Sequence, residues 1–247
     1  MIMRFFLVLA VFLNSLTCSA VNVSANASNL NKALANSSRV YPQVGSATPK
    51  SSLKLGSYQI GDFAQGGVVI WVTADGQHGL VASIVNLTGA GAAPTLEWSS
   101  SFLNTQAIND APLPKSYTNP IPKDNYSGWQ NQAVIQSGFD WYDDYPAFFV
   151  CNCYQGGGYT DWFLPSVTEL RQIYSERATV DIVSTQNGGD ALIQGGVYWS
   201  SVDYANASPI TNTRAWYFWF DYSNPPSGHP DADQKDSSHY VRCVRAF

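Results

Sequence analysis

The side chains best suited to chemistry in this sequence are acidic and amide groups near the carboxyl end. They lie between Asp221 and Ser238, a long polar stretch predicted to be a loop, and loops held on a rigid scaffold often carry binding residues. Their oxygens suit a hard cation such as calcium and also accept hydrogen bonds from sugar hydroxyls. A solvated acidic loop is the simpler interpretation, so calcium is an alternative and no cofactor is expected. The candidate ligand-binding residues of this stretch are Asp221, Asn224, Asp231 and Asp233.

Two cations stand beside these acids. Arg214 follows another long polar loop, Asp203 to Thr213, and Lys235 lies within the acidic stretch. Because charged donors bind sulfate and carboxylate groups strongly, an anionic ligand would depend on Arg214 and Lys235. We therefore add both to the candidate ligand-binding residues.

A second segment, Asp140 to Tyr145, mixes carboxylates with aromatic rings. Sugars bind by stacking their apolar faces on such rings while carboxylates accept their hydroxyl hydrogen bonds. The simpler interpretation is a helix cap flanked by core aromatics. This segment is the alternative place for a ligand.

Nothing in the sequence points to catalysis. The histidines are His78, His229 and His239, and His78 falls in a predicted hairpin turn. A hydrolytic site needs a serine or cysteine activated by a neighbouring base, and no nucleophile-elbow motif is present in the sequence. We expect no catalytic residues and predict that the protein is not an enzyme.

The amino terminus has the pattern of a secretory signal. Met1 to Arg4 is short and positive, Phe5 to Leu16 is apolar, and the small residues Cys18-Ser19-Ala20 follow. The apolar run is too short for a comfortable transmembrane helix. We expect cleavage after Ala20, with a lipoprotein anchor on Cys18 as the alternative. The mature chain would then be secreted or displayed on the cell surface without an integral membrane segment.

Three cysteines remain after such cleavage, and exported proteins can hold disulfides. Cys151 and Cys153 are separated by one residue and are not natural partners, so Cys243 pairs with one of them. A Cys-x-Cys metal site would need further cysteine or histidine ligands nearby in the sequence, and these are lacking. No metal site is expected.

Composition predicts one folded domain behind a spacer. Hydrophobic residues make up 45% of the chain, which is ample for a single core. The formal net charge is −5, which makes nucleic acid and anionic membrane surfaces poor partners. We divide the chain into a signal peptide (residues 1–20), a flexible Ser/Asn/Ala-rich tail (residues 21–54) and one domain (residues 55–247).

The run Gly156 to Leu170 is the most informative local pattern. Its glycines permit a turn, and Trp162 opens a short apolar stretch that should be buried. Ser166 and Glu169 have the spacing of a capping box at a helix start. Leu170, Ile173 and Tyr174 then follow at helical spacing.

The other patterns predict short antiparallel strands and few helices. A hairpin is predicted with strands at Gly67–Thr73 and Gly79–Val85. A helix is predicted over Ser127–Ser137, with Trp129, Ala133 and Val134 on one face. Three more strands are predicted over Val197–Ser201, Arg214–Phe220 and Tyr240–Arg245. Together these elements indicate an α+β architecture.

The blocks Gly-Gly-Tyr-x-Asp-Trp-x-Leu-Pro-Ser-x-x-Glu-Leu, Tyr-Trp-Ser-Ser and Tyr-Val-Arg-Cys-Val-Arg-Ala-Phe occur in this order. In this they resemble the Lcl C-terminal domain family, named for the last domain of a Legionella collagen-like adhesin. The resemblance starts near Tyr58 and runs to the end of the chain.

The resemblance implies a C-type lectin-like fold, distantly related to the formylglycine-generating enzymes, in which both chain ends meet in one sheet. It also implies a disulfide between Cys151 and Cys243, which leaves Cys153 as a free thiol. In such a fold the long loops form the binding face. The adhesin that names the family binds sulfated polysaccharides, so that ligand class is implied as well.

These observations favour a secreted or surface-displayed adhesin without catalytic activity. Its partner would be a glycan or an extracellular protein, and the sequence is compatible with a homo-oligomer. A structural or assembly component of the cell envelope is the alternative, and an enzyme of unknown chemistry comes third. The acidity of the chain makes a neutral glycan as good a ligand as a sulfated one.

Overall fold

The computed structural model describes residues 56–89, 94–100, 127–138, 141–204, 213–223 and 225–247. The expected signal peptide and tail lie outside these residues. The helices are α1 (Ser127–Gln136), α2 (Trp141–Asp144), α3 (Pro146–Cys153), α4 (Val167–Ser175) and α5 (Arg177–Gln186). The strands are β1 (Phe63–Ala64), β2 (Gly67–Val72), β3 (Gly79–Ala82), β4 (Leu96–Glu97), β5 (Val197–Asp203), β6 (Arg214–Trp219), β7 (His229–Gln234), β8 (Ser238–His239) and β9 (Val244–Ala246).

The strands form antiparallel sheets. One has the order β1-β2-β3-β9, so strands from both ends of the described chain lie side by side. A second sheet has the order β5-β6-β7, and a short one pairs β4 with β8. Helices occupy the chain between β4 and β5. The predicted α+β architecture is confirmed.

Two clusters of buried apolar side chains hold the helices on the sheets. One contains Trp98, Phe148 and Trp162, and the other contains Leu170 and Phe218. Trp162 is 2% exposed, so the prediction that it is a buried anchor is confirmed.

The start of α4 has the predicted capping box. Ser166 Oγ accepts a hydrogen bond from the backbone N–H of Glu169 at 3.2 Å, and Glu169 Oε2 accepts one from the N–H of Ser166 at 2.6 Å. The helix buries Leu170, Ile173 and Tyr174, which are the residues predicted at helical spacing.

Glu169 does more than cap its own helix. Its carboxyl group is 1% exposed and also accepts a hydrogen bond from the backbone N–H of Gly128, in the first turn of α1. One side chain therefore joins the amino termini of two helices. Burial raises the pKa of Glu169 to about 7, although the hydrogen bonds from Ser166 and Gly128 act in the opposite direction.

The stability of the fold should consequently decrease as the pH rises from about 4.5 to about 7. An unfolded chain loses the Glu169 proton near the ordinary pKa of 4.5, whereas the folded protein keeps it until about pH 7. The proton therefore stabilises the fold fully below pH 4.5, and this stabilisation is lost by about pH 7. The free energy of unfolding changes by up to about 3 kcal/mol between these values. Urea titrations of wild type and Glu169→Gln across this range should show a flatter pH profile for the variant. Parallel profiles would contradict the assignment.

Cys151 and Cys243 form a disulfide that ties α3 to the segment leading into β9. The pairing implied by the family resemblance is therefore confirmed. The expectation that Cys153 is a free thiol is wrong, because Cys153 is also disulfide-bonded and no described cysteine is free.

Non-reducing peptide mapping should recover a peptide containing Cys151 joined to one containing Cys243. Replacing both residues with alanine should lower the free energy of unfolding by about 2–4 kcal/mol, because the bridge closes a long loop. The two cysteines are 92 positions apart. A peptide joining Cys153 to Cys243 would overturn the pairing.

The predicted loop from Asp221 to Ser238 departs most from the structure. It contains β7, which pairs with β6 along its whole length. Pro230 is compatible with this strand because β7 lies at the outer side of its sheet, where a missing N–H is tolerated. The predicted strand over Tyr240–Arg245 is instead a pair of isolated bridges at Tyr240 and Val241 followed by β9.

Candidate ligand-binding face

Two of the predicted ligand-binding residues, Asp231 and Asp233, come together on β7. They are two positions apart on one strand, so their side chains point to the same face of the sheet. Asp231 is exposed, and the side chain of Asp233 is 39% exposed. Both carboxylates are therefore within reach of a ligand.

β6 places aromatic rings beside these carboxylates. Tyr217 lies opposite Asp231 in the register, and Trp219 lies opposite His229. Residues directly opposite each other on antiparallel strands share a face. Trp219 is 36% exposed, and the ring of His229 meets it edge-on with 5.2 Å between centroids.

His239 completes the arrangement from β8. Its Nε2 lies 3.1 Å from Asp233 Oδ2, and its ring centroid is 5.3 Å from that of Tyr217. The ring rests on the buried Trp199 with 4.3 Å between centroids. We call the following six residues the acidic aromatic face: Tyr217, Trp219, His229, Asp231, Asp233 and His239.

Two titratable groups of this face, Tyr217 and His239, have pKa values shifted towards their neutral forms. Burial, reinforced by the charges of Asp231 and Asp233, raises the pKa of Tyr217, whose hydroxyl is hydrogen-bonded to Asp231. Burial lowers the pKa of His239 below its ordinary value of 6.5, although Asp233 opposes this shift. At neutral pH His239 is therefore uncharged and donates its Nε2–H to Asp233, so it does not neutralise the carboxylate.

Sequence reasoning missed the aromatic members of this face. The alternating pattern of Arg214–Phe220 correctly predicts a strand, but the candidate ligand-binding residues include only Arg214 from it and none of its aromatic side chains. The signal was available, since Tyr217 and Trp219 alternate with the buried Phe218 and must point to the other side of the sheet.

Lys235 is not an exposed cation, and the expectation that it binds an anionic ligand is wrong. Its side chain is 0% exposed, and its Nζ lies 3.0 Å from the equally buried Asp203 Oδ2. The ammonium also lies 4.9 Å from the centroid of the Trp98 ring. Burial lowers the pKa of Lys235, and the charge of Asp203 counteracts this shift.

Arg214 lies on the other side of the sheet from the acidic aromatic face. It is three positions before Tyr217 on the same strand, so the two side chains point in opposite directions. Its guanidinium donates to the backbone carbonyl of Ala232 and lies 5.7 Å from the centroid of the Tyr204 ring. From that side its guanidinium reaches the outer edge of β7, where it is held at the residue between Asp231 and Asp233.

Asp221 organises its own loop. Its carboxylate accepts hydrogen bonds from the backbone N–H and hydroxyl of Ser223 and from the hydroxyl of Ser227, and these bonds lower its pKa. Asn224 lies outside the described residues, as does most of the predicted loop from Asp203 to Thr213.

The alternative segment at Asp140–Tyr145 is largely structural where it is described. Tyr145 is 7% exposed and packs on Trp98 and Phe148. Trp141 meets Phe149 edge-on with 6.0 Å between centroids. Asp140 lies outside the described residues.

Residues 123–245 match the model of the Lcl C-terminal domain. The match includes the capping box, the disulfide and the whole acidic aromatic face. This part of the chain belongs to the Lcl C-terminal domain family.

The family match starts later than the resemblance near Tyr58 suggested. The strands β2 and β3 precede the matched region, yet β3 pairs with β9 near its end. The Lcl domain of this chain therefore shares a sheet with strands that lie outside the matched residues.

One solved structure similar to this chain is a fimbrial protein from Bacteroides ovatus ATCC 8483. The two are 17% identical with a TM-score of 0.44, over 73% of this chain and 44% of that chain. This chain thus spans less than half of the fimbrial protein's length. No curated protein matches the chain in sequence.

The described residues contain no group of three or more His, Cys, Asp or Glu side chains that could hold a metal ion, including at the acidic aromatic face. No helix in the described ranges is long and apolar enough to cross a membrane.

Proposed function

We propose that this chain is a secreted or surface-displayed binding module of C-type lectin-like fold. Its acidic aromatic face would recognise a neutral, hydroxyl-rich glycan without chemically altering it. The observation that carries the proposal is the position of Trp219, 36% exposed on the same face as two solvent-accessible carboxylates.

Rings and carboxylates supply the two kinds of contact that a sugar requires. Trp219 and Tyr217 offer apolar surface on which the C–H face of a pyranose can stack. Asp231 and Asp233 accept hydrogen bonds from hydroxyls, and each carboxylate can accept several. Because both residues sit on paired strands, the contacts are fixed before binding, which reduces the entropy lost on association.

The charge of the face favours a neutral ligand over a sulfated one. Lys235 is buried against Asp203, and Arg214 points to the opposite side of the sheet. A sulfate at this face would meet the carboxylates of Asp231 and Asp233, while the nearby guanidinium of Arg214 is held by the Ala232 carbonyl at the outer edge of β7. Repulsion between like charges would therefore weaken the binding of sulfated polysaccharides.

Binding rather than catalysis also agrees with the contacts of the two histidines. His239 Nε2 meets Asp233, and His229 Nδ1 lies 2.8 Å from the carbonyl oxygen of Ser227. Neither contact activates a serine or cysteine as a nucleophile.

Two features support the lectin-like fold. The resemblance implies that both chain ends meet in one sheet, and β1 and β9 belong to one sheet here. The disulfide from α3 to the segment before β9 is the second feature that the resemblance implies.

Trp219→Ala should weaken binding of a neutral glycan by at least about tenfold, because a central aromatic side chain commonly dominates such a contact. Trp129→Ala is the matched control, since Trp129 is 50% exposed on α1, outside the acidic aromatic face. Titration calorimetry on variants with unchanged melting would measure the effect. Equal affinities for wild type and Trp219→Ala would remove Trp219 from the site.

A further inference from the structure

β7 is the outer strand of the β5-β6-β7 sheet within the described part of the chain. An outer strand usually offers a row of unpaired backbone groups to which another strand can add. The register shows which groups of β7 point outward. The N–H of Lys235 donates to the Thr213 carbonyl at 2.8 Å, so alternate residues from Lys235 backwards face β6. The outward residues are therefore Pro230, Ala232 and Gln234.

The outward N–H groups of β7 are already occupied or missing. Pro230 has no N–H. The N–H of Ala232 donates to Asp231 Oδ1 at 2.7 Å, and the N–H of Gln234 donates to Asp233 Oδ1 at 2.7 Å. Each aspartate thus caps the backbone donor of the next residue.

Two outward carbonyls are occupied as well. The Ala232 carbonyl accepts a hydrogen bond from the guanidinium of Arg214. The Gln234 carbonyl accepts one from the backbone N–H of Ser237 at 3.0 Å. A strand that approached this edge would have to break these bonds before it could pair.

We propose that Asp231, Asp233 and Arg214 close the outer edge of β7 against strand addition by a second copy of this chain. A second copy is the relevant partner because two identical edges can pair antiparallel about a two-fold axis, each supplying the same groups. Capping by Asp231 and Asp233 removes the donors that such a ladder needs.

This assignment does not rest on the glycan proposal. Both proposals use Asp231 and Asp233, but this one depends on their Oδ1 atoms and on the backbone N–H groups of the residues that follow them, whereas the observation that carries the glycan proposal is the exposed ring of Trp219. The readout is also different, since oligomeric state rather than ligand affinity is measured.

The test is sedimentation velocity of the full chain over a hundredfold dilution series. The double variant Asp231→Ala/Asp233→Ala should form a larger, concentration-dependent species that wild type does not form. The double variant Asp231→Asn/Asp233→Asn keeps an Oδ1 acceptor at each position and should sediment like wild type. Asp143→Ala/Asp144→Ala removes the same charge from α2 and should also match wild type.

Either of two results would overturn the proposal: an alanine variant that sediments like wild type, or an asparagine variant that associates as the alanine variant does.

Hydrogen exchange of the wild-type protein tests the proposal if the alanine variant does not fold. The amides of Ala232 and Gln234 should exchange at least about tenfold more slowly than unstructured amides, although they lie on an outer edge. Exchange at the unprotected rate would equally exclude the capping.

Discussion

Replacing Lys235 with methionine should lower the free energy of unfolding by about 3–5 kcal/mol. Methionine keeps most of the side-chain volume but removes the ammonium that lies 3.0 Å from Asp203 Oδ2. The Asp203 carboxylate is 0% exposed and would be left buried without its counter-charge. The contact between the ammonium and the Trp98 ring would also be lost. Urea titration measures the effect.

Two further variants test whether the loss of stability comes from the unpaired Asp203 charge or from removing any charged residue in this region. Asp203→Asn combined with Lys235→Met leaves no charge buried and should recover a large part of the loss. Asp236→Ala changes the exposed neighbour and should alter stability by less than about 0.5 kcal/mol. A stable Lys235→Met protein with weakened ligand binding would restore Lys235 to the ligand-binding residues.

Trp162→Ala should lower the free energy of unfolding by about 3–5 kcal/mol, as expected for a buried aromatic side chain. The ring is 2% exposed and meets Tyr154 edge-on with 4.9 Å between centroids. Its Nε1–H donates to the Gly156 carbonyl at 3.3 Å. Truncation would leave a cavity beneath the glycine turn and remove this hydrogen bond.

Trp219→Ala is the matched comparison for this prediction because Trp219 is substantially exposed. Its substitution should change stability by less than about 1 kcal/mol while reducing ligand affinity. Denaturant titration of both variants gives the comparison. A loss of less than about 1 kcal/mol for Trp162→Ala would contradict its role as a core anchor.

Structural features that depend on residues close together in the sequence could be predicted. The capping box of α4 needs only the three-residue spacing of Ser166 and Glu169, and the β2–β3 hairpin needs only two strands and a turn. The disulfide partner of Cys243 required more, because spacing alone left Cys151 and Cys153 as alternatives and the family resemblance decided between them.

β7 could not be predicted because its stability comes from a partner strand. Its sequence, His-Pro-Asp-Ala-Asp-Gln, consists largely of residues that are uncommon in strands. Aromatic β6 supplies the ladder, and the outer position of β7 tolerates Pro230. Local propensity therefore gave a loop where tertiary pairing produces a strand.

Buried charges were missed for the same non-local reason. Charged residues are usually exposed, so the sequence predicted an accessible Lys235. Its partner Asp203 is 32 positions away, and no local pattern connects them. Arg242 is likewise 0% exposed and donates hydrogen bonds to Asn86 and Ser184 from distant parts of the chain.

The buried side of α1 was also misjudged. Of the residues predicted on one face, Trp129 and Ala133 are exposed and Val134 packs against the core, and the helix buries Ile135 together with the amides Asn131 and Gln132. Asn131 Nδ2 donates to Ser201 Oγ at 2.9 Å, and Gln132 Nε2 donates to the Phe148 carbonyl at 3.2 Å. The inner side of α1 therefore combines apolar residues with hydrogen-bonded amides, and the amides could not be recognised from the apolar pattern alone.

The most direct test of the proposed glycan recognition is an array of neutral and sulfated glycans probed with the full exported chain, with and without a chelator. The account predicts signal on neutral glycans that persists in chelator, is retained by Trp129→Ala and is lost in Trp219→Ala. Signal confined to sulfated glycans, or neutral-glycan signal that Trp219→Ala leaves unchanged, would contradict it.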